Sequence, residues 1–294
     1  MQLTEFAPAK VNLSLHVGPP KETGRHDLIS LLAFSDEKTA DRLTAEPASH
    51  FSLAVDGPYA EASGPAKNNL VLKAARAMND ALDGNAPPLA FRLQKNLPCA
   101  AGIGGGSSDA AAALRLIIKA HGGDRVRALA ETIAPLLGGD VLACLIGMPG
   151  FMSGEGEHFD PVLSLPILPA ILVNPGVPCP TGPVFKAYDA LAPDRVPDHP
   201  PLPDNRTTTR AFLSWLSDNT QNSLQSPAMS MRPEITQALA SLKALPGVKL
   251  ARMSGSGATC FALFETVDSA EAGHQQIVHQ HPNWWASATL LGGR

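Results

Sequence analysis

Across residues 10–17 apolar and polar side chains alternate strictly. Val11, Leu13, Leu15 and Val17 fall on one face, Lys10, Asn12, Ser14 and His16 on the other. A period of two predicts a strand with one buried face. Residues 28–34 and 51–55 are further apolar runs of strand length. From residue 69 the period lengthens: Leu70, Ala74, Met78 and Ala81 recur at helical spacing, predicting a helix over 69–82 with Asn68 as its N-cap. Residues 88–93 read as a strand again. A glycine-rich turn then leads into an alanine-rich helix from about Ser107, and another helix follows Asp124 and stops at Gly138-Gly139.

The second half has a different rhythm. It reads as a strand at 170–173, a helix at 233–245, strands at 248–253 and 259–264 around a Ser254-Gly255-Ser256-Gly257 turn, a helix at 268–278 and a last strand at 285–290. That order is βαββαβ, the ferredoxin-like split unit. The Pro- and Asp-rich stretch 190–206 reads as a surface loop inside this half. The expectation is an α+β protein of two domains, residues 1–160 and 161–294.

Composition narrows the function classes. With 44% apolar and 17% charged residues the chain has ample core for a globular fold. A net charge of −4 gives no overall positive field, so no nucleic-acid partner is expected. An anionic ligand therefore needs a local device. No run reaches the roughly 18 apolar residues of a membrane span, and the opening MQLTEFAPAK lacks a secretory apolar stretch. The four cysteines form no CxxC pair, which gives no zinc signal. Reduced thiols and a cytoplasmic location are expected.

The local device is the stretch Pro98, Cys99, Ala100, Ala101, Gly102, Ile103, Gly104, Gly105, Gly106, Ser107 and Ser108. Glycines let backbone N–H groups approach a ligand with no Cβ in the way. A helix that starts at once adds its free N–H groups and positive dipole end. The two serines offer hydroxyls that can cap the helix, bind phosphate oxygen or ligate Mg²⁺. The stretch suits a polyphosphate. A flexible turn with an ordinary serine cap is the plain alternative, and four glycines in five residues between a strand and a long helix disfavour it. The loop is neither a Walker A motif, which ends in Gly-Lys-Ser/Thr, nor a Rossmann fingerprint, whose third glycine would fall on Ser107.

Three blocks stand in order along the chain: Ala7-Pro8-Ala9-Lys10-Val11-Asn12-Leu13, the glycine-rich loop, and Met253-Ser254-Gly255-Ser256-Gly257-Ala258. Together they resemble the three-motif pattern of the GHMP kinases, which phosphorylate small molecules such as galactose, homoserine and mevalonate. Further similarity lies in Gly24-Arg25-His26, Asn69-Leu70, Leu137-Gly138-Gly139-Asp140-Val141 and Pro180-Thr181 with Val184-Phe185. These blocks favour the branch of the family whose substrate is a cytidine diphosphate-linked polyol.

The resemblance implies a GHMP-type N-terminal domain, a ferredoxin-like C-terminal domain, and ATP with Mg²⁺ as cofactors in a cleft between the two. It implies that residues 98–108 hold ATP and that Asp140 accepts the proton of the attacking hydroxyl. Lys10, its partner in the family's Lys–Asp pair, is implied to keep Asp140 ionised, orient the hydroxyl and offset charge on the transferring group. It places Asn12 and Thr181 near the polyol, and His26 and Phe185 around the cytosine. Arg25 stands where the family usually has an aromatic, and Leu32 replaces another, so Arg25 is expected either to stack on the base or to pair with the diphosphate. On the residues alone, Asp140 also reads as a loop carboxylate, Lys10 as a solvated charge, His26 as a loop histidine and Phe185 as a core aromatic. Homoserine, mevalonate and sugar kinases remain alternatives. A non-catalytic relative would have lost the lysine, the aspartate or the loop, and all three are present.

Overall fold

The structure is a computed structural model that describes residues 1–162, 165–195, 198–204 and 207–292. The loop expected at 190–206 lies partly outside the described residues. Two compact units interleave along the chain: Met1–Ala9 with Glu37–Cys99 and Gly104–Gly147, and Lys10–Asp36 with Ala100–Ile103 and Met148–Arg294.

The first unit is built on a four-stranded sheet in the order Leu3–Pro8, Ala40–Pro47, Leu89–Gln94, Ser52–Asp56. Its first three strands pair antiparallel, whereas Ser52–Asp56 and Leu89–Gln94 run parallel, joined through the helix Leu70–Ala81. A parallel pair needs such a crossover, because a tight hairpin reverses the chain. Helices Gly105–His121, Asp124–Leu137 and Val141–Ile146 complete the unit. Leu43, Ala45, Leu89, Phe91 and Leu93 form the inner face of the sheet against Val71, Ala75 and Met78. Ala110, Ala111, Ala112 and Ala113 are all fully buried, so the alanine-rich helix is central and not amphipathic. The helix Leu70–Ala81 is capped by Asn69, whose Oδ1 accepts from Val71 N at 2.9 Å, and not by Asn68, which ends a short 3₁₀ turn.

In the second unit, Leu168–Asn174, Pro233–Lys243, Leu250–Met253, Cys260–Leu263, Val267–Gln280 and Trp285–Leu291 follow the expected βαββαβ order. The sheet is antiparallel, with Leu168–Asn174 between Cys260–Leu263 and Trp285–Leu291 and with Leu250–Met253 at the edge. This is the ferredoxin-like arrangement. Helices Thr181–Asp189, Thr209–Asn219 and Gln225–Met231 are inserted after its first strand. A second sheet of the same unit centres on His26–Phe34, flanked by Lys10–Asn12 and His16–Pro20 on one side and by Gly150–Gly154 and His158–Pro161 on the other. The strand expected over 10–17 is therefore two strands with an irregular step at 13–15, and both of its faces are buried. Among the described residues no helix is long and apolar enough to cross a membrane.

Candidate active site

In the first unit the helix Gly105–His121 follows Gly104, whose φ of 63° is left-handed and which leaves the helix without a side-chain cap. The sequence suggests a start near Ser107 with serine as cap. The helix instead starts two residues earlier, which puts both serines inside its first turn. Its leading N–H groups and its positive dipole end thus have no side-chain acceptor of their own, which is what an anion site requires. Gly106 is exposed, and Gly104, Gly105 and Ser107 are half-buried. Ser108 is different: it is buried and its Oγ donates to Pro8 O at 2.6 Å, so this hydroxyl ties the helix to strand Leu3–Pro8. Pro98 is buried and Cys99 half-buried, the thiol pointing its weak donor at Tyr59 O.

Beneath Gly105 lies a charge cluster that the sequence analysis does not anticipate. Lys95 Nζ donates to Asp41 Oδ2 at 2.5 Å and to Asp109 Oδ2 at 2.6 Å, and all three side chains are buried. A Cβ added to Gly105 would sit 3.2 Å from that ammonium. The signal for it was period two. Leu89, Phe91 and Leu93 point inward, and Lys95 continues their series just past the strand; Asp41 likewise heads the inward series Leu43 and Ala45. Burial works against the Lys95 cation, and the two carboxylates outweigh it and raise its pKa.

In the second unit Ala100–Ile103 packs on the turn Ser254–Gly257. Ala100 is exposed with a left-handed φ of 49°, and Ala101 and Ile103 are buried. Gly102 has φ of 75°, and a Cβ there would lie 2.4 Å from Ser254 O, so no larger residue fits. Ser254 Oγ donates to Gly102 O at 2.9 Å and accepts from Asn12 N at 3.0 Å. Lys10 is buried and its Nζ donates to Asn12 Oδ1 at 2.7 Å; Asn12 Nδ2 donates to Ser30 Oγ at 2.7 Å, and Ser30 Oγ to Ser14 O. The two residues do share a strand face, and the structure uses Asn12 to hold Lys10.

Elsewhere in this unit His26 and Phe185 meet, with ring centroids 4.8 Å apart and tilted by 45°. His26 is buried, and its Nε2 lies 2.7 Å from Asp189 Oδ1, a partner absent from the sequence reading. Thr181 opens the helix Thr181–Asp189, its Oγ1 3.0 Å from Ser256 Oγ. Arg25 is mostly exposed and pairs with Glu155 at 3.0 Å, where Lys21 also binds. These two cations hold the Glu155 carboxyl below its ordinary range. Leu32 is fully buried in strand His26–Phe34.

Asp140, in the first unit, is half-buried between helix Asp124–Leu137 and helix Val141–Ile146, at the N-cap position of the latter, and its side chain makes no cap bond. Among the described residues no three His, Cys, Asp or Glu side chains are grouped to hold a metal ion.

The family model described as GHMP kinases N terminal domain matches residues 69–148, and the one described as GHMP kinases C terminal matches residues 206–282. A 4-diphosphocytidyl-2-C-methyl-D-erythritol kinase of Hyphomonas neptunium is 52% identical over 99% of this chain and 97% of its own. One of the same name from Caulobacter sp. (strain K31) is 44% identical over 100% and 99%. The crystal structure of a 4-(cytidine 5'-diphospho)-2C-methyl-D-erythritol kinase superposes with a TM-score of 0.81 at 33% identity, covering 99% of this chain and 100% of that one. A homoserine kinase from Cytophaga hutchinsonii, at 16% identity and a TM-score of 0.66, shares the fold. The chain belongs to the GHMP kinases.

Proposed function

We propose that the protein transfers the terminal phosphoryl group of ATP to a hydroxyl of 4-diphosphocytidyl-2-C-methyl-D-erythritol, a cytoplasmic step of the non-mevalonate route to isoprenoid precursors. The observation that carries this reading is 52% identity, over nearly the whole chain, to a kinase named for that substrate. The uncapped start of helix Gly105–His121 supports it, since it offers backbone donors to a polyphosphate. In this reading residues 1–160 form the catalytic N-terminal GHMP domain and 161–294 the C-terminal one.

Phosphoryl transfer asks the protein mainly for positioning and charge stabilisation. The leading N–H groups of Gly105, Gly106 and Ser107 would hold phosphate oxygens, with Gly104 setting the turn. Ser108 would keep the helix start in place from below. Mg²⁺, when bound, would neutralise phosphate charge. Lys10, fixed by Asn12, would offset charge on the transferring group. Asp140 would accept the proton of the substrate hydroxyl. His26, Phe185 and Arg25 would recognise the cytidine diphosphate, and Thr181 the polyol. The test is to incubate pure protein with ATP, Mg²⁺ and a panel of alcohols and to follow ADP release. Release with the cytidine diphosphate-linked polyol alone is expected. Turnover of homoserine, mevalonate or galactose in its place would overturn the assignment.

A further inference from the structure

The cluster under Gly105 contains two carboxylates and one ammonium, and the two carboxylates are not equivalent. Asp41 is fully served: Oδ1 accepts from the backbone N–H of Asn96 at 2.5 Å and of Leu97 at 2.8 Å, and Oδ2 from Lys95. Asp109 Oδ2 accepts from Lys95, and its carboxyl lies close enough to that of Asp41 for a proton to bridge them. Asp109 Oδ1 is buried with no hydrogen-bond partner. With all three groups ionised the cluster would hold a net buried charge of −1, on the first turns of a helix whose N-terminus faces the phosphate site. A buried carboxylate with an orphaned oxygen is costly, and a proton removes the larger part of that cost, the uncompensated charge.

We propose that Asp109 is a positioning residue for the nucleotide: it is protonated when the loop holds polyphosphate, so that ATP binding draws a proton from solvent onto its carboxyl. The neutral cluster leaves the positive end of helix Gly105–His121 undiminished. The ionised one sets a negative charge behind the same N–H groups. This rests on the reading of 104–108 as the phosphate loop.

The electrostatics agree. Burial first, with Asp41 adding to it and Lys95 opposing, lifts the Asp109 carboxyl to about 7. The charges that act on it come from Lys95 and Asp41, and the Cys99 thiol sits in the same field. Strand Leu3–Pro8, packed on the same helix, carries Glu5, which pairs with Arg115 and Lys119 farther along it. The charged side chains of helices Leu70–Ala81 and Asp124–Leu137 (Lys73, Arg76, Asp80, Asp124, Arg125, Arg127 and Glu131) are exposed, and helix Val141–Ile146 has none. None of these groups is among those that shift the Asp109 carboxyl. An incoming polyphosphate favours the protonated form, so affinity must fall as pH rises through this range.

The experiment is calorimetric titration of ATP–Mg²⁺ into the full-length protein, with no alcohol present, from about pH 6 to about pH 8.5 in two buffers of different ionisation enthalpy. The expected result is an affinity about fivefold to tenfold weaker at the alkaline end, with net proton uptake near neutrality. Asp109→Asn, which keeps the shape and fixes the charge at neutral, should bind ATP with that slope and uptake removed. An equal slope and uptake in Asp109→Asn would overturn the proposal. Should that variant fail to fold, the wild type decides alone: binding with no proton exchange refutes the inference and leaves the kinase reading standing. No nucleotide binding at any pH refutes both.

Discussion

Lys10 Nζ donates to Asn12 Oδ1 across 2.7 Å, and the amide that receives it is itself pinned, Nδ2 donating to Ser30 Oγ. A buried ammonium on a four-carbon stem has many rotamers, and this bond selects one. Asn12 is thereby an orienting group for Lys10 as well as a neighbour of the proposed polyol site.

Asn12→Ala should therefore lower kcat by about tenfold to a hundredfold while KM for ATP stays within severalfold, because one buried charged hydrogen bond is worth roughly 1.5–3 kcal/mol. Lys10→Ala should cost more, about 10²–10⁴ in kcat. Steady-state kinetics of the two variants check this. A larger loss in Asn12→Ala than in Lys10→Ala would show that Asn12 does not act through Lys10.

Asp140→Asn keeps the shape of the side chain and removes its basicity. Turnover should fall by about 10²–10⁴ with ATP affinity nearly unchanged. A kcat within twofold or so of wild type would exclude Asp140 as proton acceptor.

The glycines of the loop should separate into two behaviours. Gly102 has a left-handed φ and a backbone oxygen 2.4 Å from where a Cβ would go, so Gly102→Ala should destabilise the protein by about 2–4 kcal/mol. At Gly106 the nearest atom is 3.5 Å away and the backbone is helical, so Gly106→Ala should fold normally. Any effect there should fall on KM for ATP, through the methyl group placed beside the exposed N–H groups. Thermal melts alongside ATP titrations distinguish the two.

Most of the second unit's βαββαβ order was legible because its strands are short apolar runs, buried on both faces at Leu168–Asn174 and Cys260–Leu263. Its helices space their apolar residues three and four apart, and turn signals stand between the elements. The segment 10–17 misled. Its polar residues are not solvent-facing: Lys10 and Asn12 bond each other, and Ser14 Oγ bonds the backbone N–H of Leu31 and the ring of His199. Alternation reports two chemically different faces, and here both are buried. The Lys95–Asp41–Asp109 cluster was hidden because a charge is read as exposed by default, although its place in the inward series was visible. The Asp189 partner of His26 stands 163 residues away in sequence, and no local pattern encodes such a pairing. The discontinuous units have the same origin, since sheet pairing joins stretches far apart in the chain.

His16 gives a prediction about acid stability. Both its ring nitrogens are buried without a partner, and burial first, then His199 and Arg252, push its pKa down to about 4. Above pH 6.5 or so the ring is neutral folded and unfolded, and its titration contributes nothing. Between that value and about 4 the unfolded chain takes up a proton that the folded one refuses, so stability falls as pH falls. His16→Phe should flatten this loss, which is about 3 kcal/mol for the single group. Melting temperatures at several pH values test it, and parallel curves for the two proteins would assign the acid loss to other groups.

The last prediction concerns base recognition. Asp189 Oδ1 lies 2.7 Å from His26 Nε2, so in the neutral ring the proton sits on Nε2 and Nδ1 is left as an acceptor. Phe185 lies against the same ring and limits its tilt. Asp189→Ala frees both the tautomer and the orientation, and in the proposed function that should raise KM for the cytidine substrate about tenfold to thirtyfold while KM for ATP holds. Arg25 is the contrast. Its guanidinium is mostly exposed and already engaged by Glu155, so Arg25→Ala should raise the same KM by less than about threefold. Arg25→Tyr should improve on Arg25→Ala only if a flat face at that position stacks on the base. A large KM effect in Arg25→Ala that grows weaker with added salt would instead assign the arginine to the diphosphate. If Asp189→Ala changes neither KM, His26 is held by Phe185 and the strand alone, and the carboxylate has no part in recognising the base.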